Sequence, residues 1–183
     1  DSAIARAVAY MPARTTIEVK ALPMDALVQI EAVVSHGDGT PPQAVEHRHG
    51  IVIWANNTEN APKCSLSTQT VAFSHYNHLS AQLPLNSKTG ELVAGGIKIQ
   101  AEQCLKNITA ILESIDHSID DVVKVNIFLY NMADIPAVDE VYSKFFVGGI
   151  PARRTVGVSA LQHDALIQID VVVANAEGTP IKG

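Results

Sequence analysis

The sequence predicts an α+β fold, one mixed sheet with two helices packed on one face. Three observations lead there. Apolar residues alternate with period two in several short runs. Two longer runs, residues 97–115 and Asp134 to Phe146, place their apolar residues at helical spacing. A 23-residue segment, residues 12–34, recurs at residues 151–173 with 14 identities and no gap, so one pair of strands is written twice.

Taken in order, residues 1–10 are Ala-rich and read as the tail of a helix. Thr15 to Leu22 alternates Ile17, Val19 and Ala21 with Thr16, Glu18 and Lys20, which predicts a half-buried strand. Pro23-Met24-Asp25 reads as a turn, and Leu27 to Val34 as a second strand. Turn formers from His36 to Pro42 mark a linker, interrupted by Ile51-Val52-Ile53-Trp54, a strand or an anchor. Thr68 to Phe73 and Tyr76 to Gln82 form a hairpin, and Asn86 to Glu91 is a further turn. In the first helix Ala101, Cys104 or Leu105, Ile108, Ile111 and Leu112 share one face. Asp121 to Tyr130 alternates as a strand. Asp134 is the expected N-cap of the second helix, whose buried stripe is Ala137 or Val138, Val141, Tyr142 and Phe145, and Gly148-Gly149 ends it. The duplicated strands close the domain. The expected order is β-β-α-β-α-β-β, with one further strand near residue 64 or 92.

The repeat offset of 139 residues is too long for a solenoid unit and matches one small domain plus a linker. Only eleven residues precede the first copy. The expected organisation is therefore a tandem pair with a truncated first member. Residues 1–35 are the end of a first repeat, 36–62 a linker and 63–178 a complete domain.

Composition narrows the function. A net charge of −6 argues against a nucleic-acid surface, which needs clustered Lys and Arg. No apolar run is long enough to span a membrane. Two cysteines, Cys64 and Cys104, do not make a disulfide scaffold. The histidines lack metal-ligand spacing, and no metal or organic cofactor is expected. A cytoplasmic protein is expected.

Polar residues Thr155, Gln168 and Asp170 fall on the closing strands. They belong either to a subunit interface or to a solvated outer face. Arg153 follows Pro151-Ala152 and can grip a carboxylate through two parallel hydrogen bonds. The alternative is a structural Arg paired with Asp139 or Glu140. Arg14 repeats the Arg153 position in the first copy.

From Ala61 to Asn175 the chain resembles the RidA/YjgF family of reactive-intermediate (imine/enamine) deaminases. Four stretches carry the resemblance: Ser80-Ala81-Gln82 through Thr89-Gly90-Glu91, Gln100 through Ile108, Asp121 through Leu129, and Pro151-Ala152-Arg153 through Asp170. The resemblance implies a chorismate-mutase-like fold and a homotrimer, a barrel-type assembly with clefts between subunits. It also implies hydrolysis of small 2-imino or 2-enamino acids, such as 2-aminoacrylate, to 2-oxo acids and ammonia. Arg153 would hold the substrate carboxylate, with Gln168 and Thr155 as its catalytic neighbours and Arg14, Ser67 and Asp139 as further binding residues.

The chain departs from the family pattern at three of these positions. Gln168 stands where the family has a Glu, Asp139 where it has an Asn, and Ser67 where it has a Tyr. An amide orients water but cannot take its proton. The alternatives are therefore a carboxylate-binding or regulatory module with weakened turnover and, further off, a ribonuclease or translation inhibitor. The expected partners are a small carboxylate substrate and either further copies or a companion chain that completes a trimer-like ring.

Overall fold

The computed structural model describes residues 11–20, 22–32, 53–73 and 76–174. Six strands form one sheet: β1 (Ile53–Asn56), β2 (Thr70–Phe73), β3 (Tyr76–Leu79), β4 (Val122–Leu129), β5 (Ala152–Gly157) and β6 (Ile167–Ala174). Helix α1 (Ile97–Glu113) joins β3 to β4, and α2 (Ile135–Phe145) joins β4 to β5. The sheet order is β1-β2-β3-β6-β4-β5. Only β4 and β5 run parallel, because a helical crossover connects them; the other neighbours are antiparallel.

The mixed sheet and both helices match the expected fold class. The core forms where α1 and α2 cover the sheet. Ile167, Ile169, Val171 and Val173 of β6 meet Val125, Ile127 and Leu129 of β4 there. Above them pack Ala101, Cys104, Leu105, Ile108, Ile111 and Leu112 of α1 and Val138, Val141 and Tyr142 of α2. Each fully buried Leu or Ile contributes roughly 1.5–3 kcal/mol. Since side chains alternate along a strand, Gln168 and Asp170 point to the opposite, helix-free face.

Two local expectations need correction. No strand forms near 64 or 92, which make only isolated bridges, to Ser67 and Leu85; β1 instead overlaps the apolar run Ile51 to Trp54, read as a strand or an anchor, inside the expected linker. Asp134 occupies the N-cap of α2 but makes no capping bond with its side chain. Asn131 instead accepts from the Ala133 amide and caps the preceding turn.

The first-copy strands are not strands here. Residues 11–20 are extended and cross the helix-free face as a strap. Their backbone meets one loop group at a time: the Pro12 carbonyl accepts from Thr68, Arg14 from Ala81 and Glu18 from Ser159. A ladder needs a continuous free sheet edge, and a chain crossing between loops has none; only Glu18 bridges, to Ala160. Ile17 packs beside a small second core of Phe128, Val158, Leu161 and Ala165 and anchors the strap.

Beyond the strap, Leu27, Val28 and Ile30 are 97, 70 and 85% exposed, and residues 26–32 join no strand. The counterparts of Val28 and Ile30, Ile167 and Ile169, are 0% exposed at the centre of the sheet. That slot between β3 and β4 is filled by β6. The turn within each copy is nonetheless the same. Met24 and Asp25 take φ of 60° and 55°, as do His163 and Asp164. The N-terminal helix tail, residues 1–10, lies outside the described residues, as do Val33 and Val34. Among the described residues no helix is long and apolar enough to cross a membrane.

One buried amide fixes the loop beneath the strap. Asn107, on α1, donates to the carbonyls of Leu83 at 3.1 Å and Leu85 at 3.0 Å and accepts from Gln103 at 2.8 Å. Asn107→Ala leaves two carbonyls without donors and is expected to cost about 1–3 kcal/mol, read from the urea midpoint.

Candidate functional site

Where the strap crosses the sheet it closes one wall of a cavity of about 330 Å³. That volume suits a small organic acid. Arg14 and Thr16 come from the strap, Cys64, Ser67 and Gln69 from the loop before β2, and Ser80 and Gln82 from the chain after β3. Gln162 and His163 come from the left-handed turn, and Gln168 from β6.

Each wall is held by buried polar groups. The Gln69 side chain donates to the carbonyls of Thr58, Ala61 and Pro62 and accepts from the Thr58 amide, which fixes the loop that carries Cys64. Ser80 Oγ donates to the Thr68 carbonyl at 2.6 Å and accepts from the Arg14 amide at 2.8 Å. Gln82 pairs its backbone with Ile169 in both directions, at 2.7 and 3.1 Å. The Thr15 hydroxyl donates to Asp170 Oδ2 at 2.7 Å, and Asn126 Nδ2 donates to Asp170 Oδ1 at 2.6 Å.

The strap thus places the Arg14 guanidinium at the cavity mouth, with Nη2 3.8 Å from Cys64 Sγ. Among the described residues Arg14 has no carboxylate partner, whereas Lys63, the other cation of the lining, is paired with Glu59. Gln168 is 5% exposed, and its Oε1 has no hydrogen-bond partner among the described residues. A buried acceptor left open is costly unless a bound molecule supplies a donor. The Leu66 N–H to Cys64 Sγ, the Ser67 hydroxyl and the Arg14 charge lower the Cys64 thiol below its usual range, against some desolvation. Burial pushes the other thiol, Cys104, far up. No group of three or more metal-ligating side chains occurs among the described residues.

The residues singled out in the sequence divide into two places. Arg14, Ser67 and Gln168 line the cavity. Arg153, expected at its mouth, does not. Its Nη1 donates to Asp139 Oδ1 at 2.6 Å, and its guanidinium lies 5.2 Å above the Tyr142 ring. Asp139 on α2 faces that edge of the sheet, and the structural pairing left open by the sequence is the one present. Thr155, on edge strand β5 opposite Ile127, is also outside the lining. Their repeat counterparts, Arg14 and Thr16, take the cavity positions instead.

Sequence reasoning missed Thr16, Cys64, Gln69 and His163 as cavity residues. Thr16 was recoverable by alignment with Thr155. His163 enters through a left-handed backbone that a non-glycine residue rarely adopts, and no sequence pattern announced it.

A family model described as Endoribonuclease L-PSP matches residues 58–175. A RutC family protein of Pyrococcus horikoshii is 42% identical over 63% of this chain and 92% of its own length. A 2-iminobutanoate/2-iminopropanoate deaminase of Dermatophagoides farinae is 40% identical over 58% of this chain and 83% of its own. The crystal structure of YyfA from Yersinia pestis, of the Rid protein family, superposes with a TM-score of 0.66 at 37% identity, covering 68% of this chain and 100% of that one.

Thr15→Val removes a bond to a buried carboxylate, worth roughly 1.5–3 kcal/mol. The strap is expected to open about tenfold or more often, read as faster hydrogen exchange of the Ala81 amide, which donates to the Arg14 carbonyl.

Proposed function

The chain belongs to the endoribonuclease L-PSP family, the RidA/YjgF proteins, and we propose that it hydrolyses small 2-imino or 2-enamino acids to 2-oxo acids and ammonia. Arg14, rather than Arg153, grips the substrate carboxylate. The supporting observation is that Arg14, free of any carboxylate among the described residues, and Gln168, whose buried Oε1 has no partner among them, line one cavity.

Two parallel N–H bonds from the guanidinium fix the acid group and orient the adjacent C=N carbon toward the cavity floor. Gln168 Oε1 accepts a hydrogen from the attacking water or from the imine N–H. Water adds to the carbon, one proton moves to the nitrogen, and the carbinolamine expels ammonia to leave the carbonyl. Gln168 cannot carry the proton. The substrate nitrogen takes it, with the His163 imidazole in the same lining available as relay. The deaminase named among the relatives supports this reading.

The ring-like assembly is part of the same proposal. Arg153 and Thr155 stand on edge strand β5, the exposed sheet edge that a neighbouring copy would cover. Gln168 in place of a carboxylate base favours a second reading, a module that binds 2-oxo acids without turnover. RNA cleavage fits less well, since a chain of net charge −6 with one unpaired cavity Arg has little to hold a phosphate backbone.

Imines generated by an amino-acid oxidase provide the test. The full chain is expected to accelerate their decay over buffer. Arg14→Ala should cut kcat/KM by about 100-fold or more, the loss of two charge-assisted bonds. Arg153→Ala should change it by less than about threefold, since it removes an exposed ion pair. Pyruvate binding with no turnover would establish the second reading, and a large loss in Arg153→Ala with little change in Arg14→Ala would return the grip to Arg153.

A further inference from the structure

We propose that Cys64 is a covalent capture site for small carboxylate-bearing electrophiles seated on Arg14. The inference rests on Arg14 acting as a carboxylate grip. Cys64 Sγ is exposed in the cavity lining, 3.8 Å from Arg14 Nη2 and 3.4 Å from the Leu66 amide nitrogen. Two donors on one sulfur stabilise a thiolate, the reactive form of cysteine. The lowered thiol ionisation agrees with that geometry.

A guanidinium has five N–H donors, so one turned to sulfur leaves a pair for an acid group. A carboxylate held there brings its α- and β-carbons beside the sulfur, the near-attack arrangement that favours bond formation. The second, independent sign of a bound molecule is the buried Gln168 Oε1, which lacks a partner in the same lining.

The chemistry balances without an oxidant. With an α,β-unsaturated acid the thiolate bonds to the β-carbon. The C=C pair then takes a proton from solvent at the α-carbon. With an α-halo acid the S–C bond forms as the carbon–halogen bond breaks, and halide leaves. Cys104, fully buried in the core, has no such access and serves as the internal control.

Iodoacetate and iodoacetamide make the test, because they differ mainly in the charge of the group that Arg14 would hold. The full chain is labelled with each at neutral pH, and Cys64 is followed by peptide mass spectrometry. Iodoacetate is expected to modify Cys64 at least tenfold faster, with saturation in reagent and suppression by pyruvate. Arg14→Gln should abolish the preference and Arg14→Lys retain part of it. Equal or faster labelling by iodoacetamide overturns the inference. The preference without imine hydrolysis would support capture and remove the deaminase reading. Arg14-dependent hydrolysis without the preference would do the reverse.

Discussion

The hydrogen bond from the Thr15 hydroxyl to Asp170 is the interaction on which the cavity depends. Asp170 is a buried carboxylate on the central strand of the sheet, and a buried charge needs donors on both oxygens. Asn126 supplies one and the strap supplies the other. With Thr15 seated, the Arg14 backbone falls into register with Ser80 and Ala81, and its side chain reaches the cavity mouth. The polar side chains that line the floor, Gln168 among them, are covered for the same reason. Removing the strap would leave Asp170 half satisfied and the cavity without its cation.

The polar face of the sheet is therefore a built surface. Its helix-covered side is largely apolar, and there packing dominates, with Asn77 and Asn107 hydrogen-bonded where they are buried. On the other side a small apolar cluster, completed by Ile17, holds the strap near β5, while polar bonds hold it near β3. Packing sets where the segment lies, and hydrogen bonds set which residue faces the cavity. The left-handed conformation of His163 and Asp164, which costs roughly 1–2 kcal/mol per residue, recurs at Met24 and Asp25, and in the second copy it places His163 in the cavity lining.

Much of the domain was legible because its signals are local. The hairpin of β2 and β3, both helices and β4 follow from alternation or helical spacing, and buried Ile108, Ile111, Val141 and Tyr142 lie where the spacing put them. The first-copy strands were misread for a physical reason. Alternation records a preference to be half buried between two neighbours, and the place between β3 and β4 that this pattern takes in the second copy is filled by β6. The same limit explains the exchange of Arg153 for Arg14. The two segments share Pro-Ala-Arg, so local chemistry could not tell which guanidinium faces a cavity and which finds Asp139 14 residues away. Cys64 and Gln69 were illegible because their roles arise from a loop wrapped around one buried amide.

Carrying the guanidinium on the same polypeptide as the pocket it enters has a thermodynamic result. An arginine lent by a separate subunit leaves when the complex falls apart on dilution. Here the local concentration of Arg14 is set by the connecting chain, so its occupancy of the pocket is the same at nanomolar as at millimolar protein.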